Sequence, residues 1–243
     1  MLLKWIFDRV VSLVGLAFLW PVFILVAIFI KMKMPGGPVF FVQKRVGKDG
    51  KLFDCHKFRT MIPVKHHEGR VLKKGDPNWS TVSVAGDSRI TPFGAKLRHY
   101  KLDELPGLWD VLIGNMSFVG PRPDVPGYAD KLEGDDRDVL KLRPGITGPA
   151  TLKYRLEDEM IADFVQNQRN HGAIELRNYG LSQSQIDEMT DQELAVWYND
   201  YVIYPDKVRI NRYYLHHYSF IKDIQMIICT VLGKKMQYNG EII

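Results

Sequence analysis

Two adjacent carboxylates, Asp103 and Glu104, are the residues of this sequence that could most readily do chemistry. Pro106 follows them, and a proline in the first turn is typical of a helix that begins at this point. Such a pair can simply cap the helix, because the helix dipole favours anions at its N-terminus. In the functional interpretation, one carboxylate is a nucleophile and its neighbour handles a metal ion or a proton.

Several cations lie beside turn or helix-breaking residues, where the backbone would hold them in place. Strand periodicity puts two of them on one face around Phe58. Another stands between two prolines, whose rings stiffen the chain. Each motif alone also fits a structural role, such as an edge strand or a rigid connector. The cations in question are Lys57, Arg59, Arg98, Arg122 and Arg143.

Taken together, these cations and the acidic pair favour phosphoryl transfer. Cations can hold a phosphate group, and a carboxylate can attack its phosphorus. A divalent cation would screen the repulsion between that carboxylate and a diphosphate.

The elements that must position these residues begin with an apolar segment. Residues 10–30 carry no charge and would form about 31 Å of helix, which is enough to cross a bilayer. A cleaved signal peptide is disfavoured, because Lys31 and Lys33 follow where small residues should stand. Two alternatives stay open, a simple membrane span and a re-entrant helix that returns to the side it entered from.

Two features favour the re-entrant helix. Pro21 lies near the middle of the segment, and proline removes a backbone donor and kinks a helix. Lys4 and Arg9 precede the segment, and Lys31 and Lys33 follow it. Basic clusters prefer the cytoplasmic side, and a straight span can place only one of the two there.

Composition supports a folded protein that meets something anionic. The chain has 243 residues, and its two cysteines are too few for a disulfide scaffold. Residues 1–100 carry 17 Lys and Arg against 6 Asp and Glu, whereas residues 101–243 carry 16 against 22. A basic half of this kind suits a membrane surface, nucleic acid or phosphorylated substrates.

The predicted fold class is α+β and mostly helical. Short strands over Val39–Val42 and residues 51–58 flank a turn at Gly47–Gly50 and predict a small β-hairpin. We expect two domains, a re-entrant membrane helix over residues 1–36 and a catalytic domain with interfacial amphipathic helices over residues 37–243. The predicted loops are 62–86, 114–128 and 143–149.

Four ordered motifs resemble the bacterial sugar transferase family, the monotopic phosphoglycosyl transferases. They are KFRTM at 57–61, DSRITPFGAKLR at 87–98, LDELPGLWDVLIGNMSFVGPRP at 102–123 and RPGITG at 143–148. The resemblance implies transfer of a sugar-1-phosphate from a UDP-sugar to undecaprenyl phosphate, with release of UMP. Such a reaction starts a capsule, O-antigen or exopolysaccharide on the cytoplasmic face of the bacterial inner membrane.

The resemblance also implies roles for particular residues. Asp103 would be the nucleophile, form a covalent phosphosugar intermediate and contact Mg²⁺, and Glu104 would assist it. Pro21 would bend the re-entrant helix. The cations would hold phosphate groups, namely Arg98, Arg122 and Arg143, with Lys57 and Arg59 lining the same site.

The partners implied are the UDP-sugar, undecaprenyl phosphate, inner-leaflet lipids and downstream glycosyltransferases, and an interfacial tail is compatible with a homodimer. A membrane-anchored scaffold that binds nucleotide sugars without catalysis is the alternative, and it would release no UMP. Nucleic acid is not an expected partner, because the basic motifs accompany Pro/Gly loops and an apolar anchor instead of a groove-tracking stripe.

Overall fold

The computed structural model describes residues 2–62, 89–171 and 181–243. Within them the chain is mostly helical and contains two-stranded sheets, which confirms the predicted α+β class. The loop predicted over 62–86 lies outside the described residues after Ile62.

The described residues form the following α-helices and strands, in chain order. The helices are α1 Leu2–Lys33, α2 Pro92–His99, α3 Gly107–Ile113, α4 Pro149–Lys153, α5 Glu157–His171, α6 Gln183–Glu188, α7 Asp191–Tyr198, α8 Tyr204–His216 and α9 Phe220–Leu232. The strands are β1 Phe40–Val46, β2 Leu52–Phe58, β3 Ser117–Val119, β4 Gly145–Thr147, β5 Gln237–Tyr238 and β6 Glu241–Ile242.

The chain divides into two compact units. The described part of the first unit comprises residues 2–62, 89–153 and 209–243, and that of the second comprises residues 154–171 and 181–208. The predicted division into a membrane helix over residues 1–36 and a catalytic domain over residues 37–243 is a different one, and it stays a prediction.

Helix α1 continues past Pro21 as one helix from Leu2 to Lys33, and the bend predicted at Pro21 stays a prediction. It is long and apolar enough to cross a membrane, with a mean hydropathy of 2.8 over its most apolar window. Large apolar side chains along it are exposed, including Phe18 at 83% and Trp20 at 60%. The helix therefore presents to its surroundings a surface suited to lipid.

Both ends of α1 contact the first unit. Near the start of the helix, Lys4 Nζ donates to Asp223 Oδ2 of α9 at 2.6 Å. Beyond its end, the Met34 carbonyl accepts a hydrogen bond from the buried Arg59 guanidinium. Ile30 is fully buried in a cluster that also contains Met34. Helix α1 is therefore attached to one folded unit at both ends.

The predicted hairpin is confirmed. Strands β1 and β2 pair antiparallel with Gln43 opposite Cys55, and a short 3-10 turn over Lys48–Gly50 joins them. Gly50 has φ +76°, a conformation that glycine adopts without a steric penalty. Strand β1 extends four residues further toward the turn than predicted, so Arg45 lies in it, whereas β2 begins one residue later than predicted.

Two segments predicted as loops instead contain a pair of strands. Strand β3 pairs in parallel with β4, with Ser117 opposite Gly145. A Cβ atom on Gly145 would lie 2.2 Å from the Gly120 nitrogen, so only glycine permits this approach. The pairing fixes the connection that carries Arg122, because the Pro121 carbonyl accepts from the Gly145 N–H at 2.7 Å.

The second unit has its own apolar core. Its fully buried side chains include Leu194 and Ile203. Helices α6 and α7 each begin with a capping box, in which Ser182 and Thr190 exchange hydrogen bonds with the residue three positions later. This unit therefore contains the local signals and the buried surface that stabilise a separate helical assembly.

Candidate active site

The acidic pair lies in a tight 3-10 turn over Leu102–Glu104 that leads into α3. Lys101 precedes the turn in the left-handed conformation, with φ +56°. Because this turn differs from a regular helix, the two neighbouring carboxylates face different surroundings. Asp103 is buried, with 9% of its surface exposed.

Glu104 is clamped between two cations. Its Oε1 accepts from Lys57 Nζ at 3.0 Å and from Arg122 at 2.8 Å. Burial alone would raise the pKa of Glu104, but Arg122 and Lys57 outweigh it and hold the pKa far below the ordinary value of 4.5. Glu104 is therefore an anion that holds the two cations in place.

Asp103 is in the opposite situation. Among the described residues, no group donates a hydrogen bond to its buried Oδ1 atom. Burial and then the adjacent Glu104 carboxylate raise the pKa of Asp103. A carboxylate oxygen without a hydrogen-bond donor keeps the electron density that a nucleophile or a metal ligand requires. The Asp103 Oδ1 atom is shielded from solvent, and Asp103 lies beside the cleft residue Glu104 without lining the cleft itself.

An open cleft lies over Glu104 and its two cations. Among the described residues, three cationic side chains and one carboxylate line it, so its charge suits an anionic ligand. Apolar side chains such as Met116 and Ile146 complete the wall. The cleft is lined by Arg45, Cys55, His56, Lys57, Glu104, Gly107, Met116, Arg122, Pro123, Gly145 and Ile146.

The structure brings Lys57 and Arg122 together from different parts of the chain. Lys57 comes from β2, and Arg122 comes from the connection after β3, between two prolines. The Pro123 carbonyl accepts from Arg45 at 3.0 Å, so this connection is also held to β1. Of the five predicted cations, Lys57 and Arg122 thus bind the Glu104 carboxylate of the acidic pair.

The other three predicted cations are not among the residues that line the cleft. Arg59 follows the last residue of β2 and binds the Met34 carbonyl. Arg143 Nε donates to the Gly114 carbonyl at the C-terminus of α3, at 3.1 Å. Arg98 lies in the last turn of α2. Their contacts with phosphate remain predictions.

Sequence reasoning missed two elements of this cleft. Arg45 was assigned to neither strand nor turn, although its alternation with Gln43 is the signal that would have placed it in β1. The second is His56, which binds the fully buried Asp110 of α3. Its signal would have been a carboxylate on the apolar face of a predicted helix.

A divalent cation fits the acidic pair. The described residues hold no group of three or more His, Cys, Asp or Glu side chains placed to bind a metal ion. Mg²⁺ usually binds proteins through one or two carboxylates, and substrate phosphates and water complete its shell. The unbonded Asp103 Oδ1 is suited to be such a carboxylate oxygen.

Comparison with known proteins identifies the class to which this fold and site belong. The family model of the bacterial sugar transferases matches residues 1–172, which is more than half of the sequence. This chain therefore belongs to the bacterial sugar transferase family.

Relatives with assigned names come from several bacteria. The undecaprenyl-phosphate galactose phosphotransferase of Salmonella typhimurium is 40% identical over 60% of this chain and 31% of its own length. The UDP-glucose:undecaprenyl-phosphate glucose-1-phosphate transferase of Xanthomonas campestris is 39% identical, over 58% of this chain and 28% of its own length. The exopolysaccharide production protein ExoY of Sinorhizobium fredii is 37% identical over 58% of this chain and 65% of its own length. The alignments thus span about a third of the first two relatives and less than two thirds of the third.

Proposed function

We propose that this chain transfers a sugar-1-phosphate from a UDP-sugar to undecaprenyl phosphate, releases UMP and so starts a cell-surface polysaccharide. The observation that carries the proposal is the arrangement of the acidic pair. Glu104 holds Lys57 and Arg122 at the cleft, while Asp103 beside it keeps an unbonded carboxylate oxygen. The family and the names of its relatives support the same reaction.

In the first step, an Asp103 oxygen attacks the phosphorus that carries the sugar. The bond from that phosphorus to the bridging oxygen breaks, and the electron pair leaves with UMP. Lys57 and Arg122 bind the charge on the phosphate oxygens, since fixed cations stabilise phosphoryl transfer. In the second step, an oxygen of the lipid phosphate attacks the same phosphorus and the Asp103 carboxylate leaves.

Mg²⁺ is the cofactor of this proposal, and Asp103 is the residue that would bind it. When bound, the ion would neutralise phosphate charge in the cleft. The contribution of the protein is separate from that of the ion. Burial removes water from Asp103, and the ion pairs of Glu104 prevent its carboxylate from competing for the phosphorus.

The membrane part of the proposal is that α1 enters the cytoplasmic leaflet and returns to the same side. Lys4 at one end and Met34 beyond the other contact the same folded unit, which supports this arrangement. A straight span would separate the two ends by the thickness of the bilayer. The exposed apolar residues of α9, such as Ile221 and Val231, suit the same interface.

The reaction is tested by measuring UMP release with a panel of UDP-sugars, undecaprenyl phosphate and Mg²⁺. We expect Asp103→Asn to abolish release while nucleotide-sugar binding persists. Asp49→Asn is the matched control, because it makes the same chemical change in an exposed turn. Wild-type turnover in Asp103→Asn would exclude this nucleophile. Binding without UMP release in the wild-type protein would instead indicate the scaffold.

The covalent step has a separate test. Wild-type protein incubated with labelled donor and no lipid acceptor should gain the mass of the phosphosugar on the peptide that contains Asp103. Full activity with no adduct under rapid-quench conditions would exclude the covalent intermediate.

Membrane topology is tested with single cysteines at the two ends of α1. Leu2 is a better site than Lys4, because Leu2 is 74% exposed whereas the Lys4 side chain is bound to Asp223. In sealed inverted vesicles, an impermeant reagent should label Leu2→Cys and Lys33→Cys equally. Labelling of the two positions from opposite sides would show a simple span.

A further inference from the structure

A buried carboxylate fixes a histidine in the wall of the cleft. Asp110 of α3 is fully buried. Its Oδ2 accepts from the backbone N–H of His56 at 2.9 Å, and its Oδ1 lies 2.8 Å from the ring Nδ1. One carboxylate therefore holds both the backbone and the side chain of His56, which fixes the rotation of the ring.

His56 is one of the residues that line the cleft. The His56 side chain is 30% exposed and shares the cleft with Lys57, Glu104 and Arg122. Because Nδ1 is engaged with Asp110, Nε2 is the ring nitrogen left for a ligand. A histidine with one nitrogen tied to a buried carboxylate and a partly exposed ring is arranged for recognition.

The shared proton decides what Nε2 can do. When Nε2 carries a hydrogen and a second proton lies between Nδ1 and Asp110, the His56–Asp110 pair has no net charge. Nε2 then donates a hydrogen bond, whether the second proton is on His56 or on Asp110. Without the Nε2 hydrogen, the pair is negative and Nε2 accepts.

We propose that His56 is a further substrate-binding residue, whose Nε2–H donates a hydrogen bond to a phosphate oxygen in the cleft, and that Asp110 is its positioning residue. The proposed function supplies the identification of this phosphate as part of a nucleotide sugar. The contact between His56 and a phosphate does not depend on the proposed function. No bond to His56 forms or breaks in the reaction.

The test measures binding of inorganic diphosphate to the purified full-length chain by calorimetry, without Mg²⁺. His56→Asn keeps an amide that can bind Asp110 but lacks an atom at the Nε2 position. A hydrogen bond to a charged group is worth roughly a 10- to 100-fold change in affinity, so we expect binding to weaken by about that factor. His217→Asn is the control, because that ring also bonds a fixed acceptor, the Tyr213 carbonyl, and lies outside the cleft.

A second variant separates recognition from packing. His56→Gln places an amide near the position of Nε2, so it should bind diphosphate more tightly than His56→Asn does. The proposal would be overturned if His56→Asn bound diphosphate within twofold of the wild-type affinity and had an unchanged thermal midpoint.

The role of Asp110 is tested by a double-mutant cycle. Asp110→Asn should weaken diphosphate binding in the wild-type background and have no further effect in His56→Asn. Equal losses in both backgrounds would show that Asp110 acts on the fold and does not position His56. If Asp110→Asn does not fold, the two His56 variants still decide the phosphate contact.

These measurements are independent of turnover. If diphosphate binding depends on His56 but no UDP-sugar yields UMP, the proposed reaction is wrong and the phosphate contact stands. If UMP is released and the His56 variants bind diphosphate as tightly as the wild type, the proposed reaction stands and this inference is wrong.

Discussion

Glu104→Gln should destabilise the protein by removing the anion that holds two cations together. Removing one partner of a buried ion pair costs about 3–5 kcal/mol. Here the Glu104, Lys57 and Arg122 side chains are 16%, 23% and 39% exposed, so water compensates part of the loss. We expect the free energy of unfolding to fall by about 2 kcal/mol, which lowers the Tm by about 4–8 °C.

The stability lost in Glu104→Gln should become smaller as the pH falls. The pKa of Glu104 lies far below 4.5 in the folded protein, so its ion pairs contribute fully above the ordinary value. As the pH falls below 4.5, the unfolded chain binds a proton first and the wild-type advantage decreases. The gap between wild type and Glu104→Gln should therefore be largest near neutral pH and should narrow on acidification.

The same substitution should tighten diphosphate binding, because it removes a competitor for Lys57 and Arg122. Two unit charges about 5 Å apart interact by roughly 3 kcal/mol at an effective dielectric constant of 20. Solvent at Arg122 reduces this, so we expect a gain of about tenfold in affinity without Mg²⁺.

Denaturant titrations between neutral pH and about pH 3, with calorimetry of diphosphate binding, check both expectations. Glu133→Gln is the matched control, since it alters an exposed glutamate. Unchanged stability at neutral pH, a gap that persists on acidification, or weaker diphosphate binding would each refute this reasoning about Glu104.

Three further predictions concern the scaffold. Lys4→Met removes the cation that binds the buried Asp223 carboxylate, and the Tyr214 hydroxyl is the donor to that carboxylate that remains among the described residues. Denaturant titration should therefore show that the free energy of unfolding falls by about 3 kcal/mol. Gly145→Ala should prevent folding, because its Cβ would meet backbone atoms at 2.2 Å. Gly107→Ala, whose nearest contact is 3.7 Å, should give a normal circular dichroism spectrum. In thermal denaturation, Arg59→Gln should lower the Tm, because the Met34 carbonyl loses its buried guanidinium donor.

Local signals predicted much of the fold and the centre of the site. Turn residues at Gly47–Gly50 predicted the hairpin. Pro106 predicted a helix close to the acidic pair, although α3 begins at Gly107 and the pair itself lies in a separate 3-10 turn. The acidic pair and two of its cations, Lys57 and Arg122, were identified from residue type and backbone stiffness. These features depend on neighbours in the sequence, so the sequence alone contains their cause.

The remainder depends on contacts between distant segments. Strand period puts Arg59 on the same face as Lys57, but β2 ends between them and the chain turns toward α1. The parallel pairing of β3 with β4 joins two short segments rich in Pro and Gly, which carry no strand signal of their own. The contact between His56 and Asp110 needs the packing of α3 on β2, which no local pattern indicates.

The separate core of the second unit has a consequence for how members of this family can vary. Among the described residues, those that line the cleft all belong to the first unit, and the family match ends at residue 172, within the second. Substitutions inside the second core therefore change none of the described residues that line the cleft. A relative could carry a different sequence over residues 173–208, beyond the family match, and keep the same cleft residues.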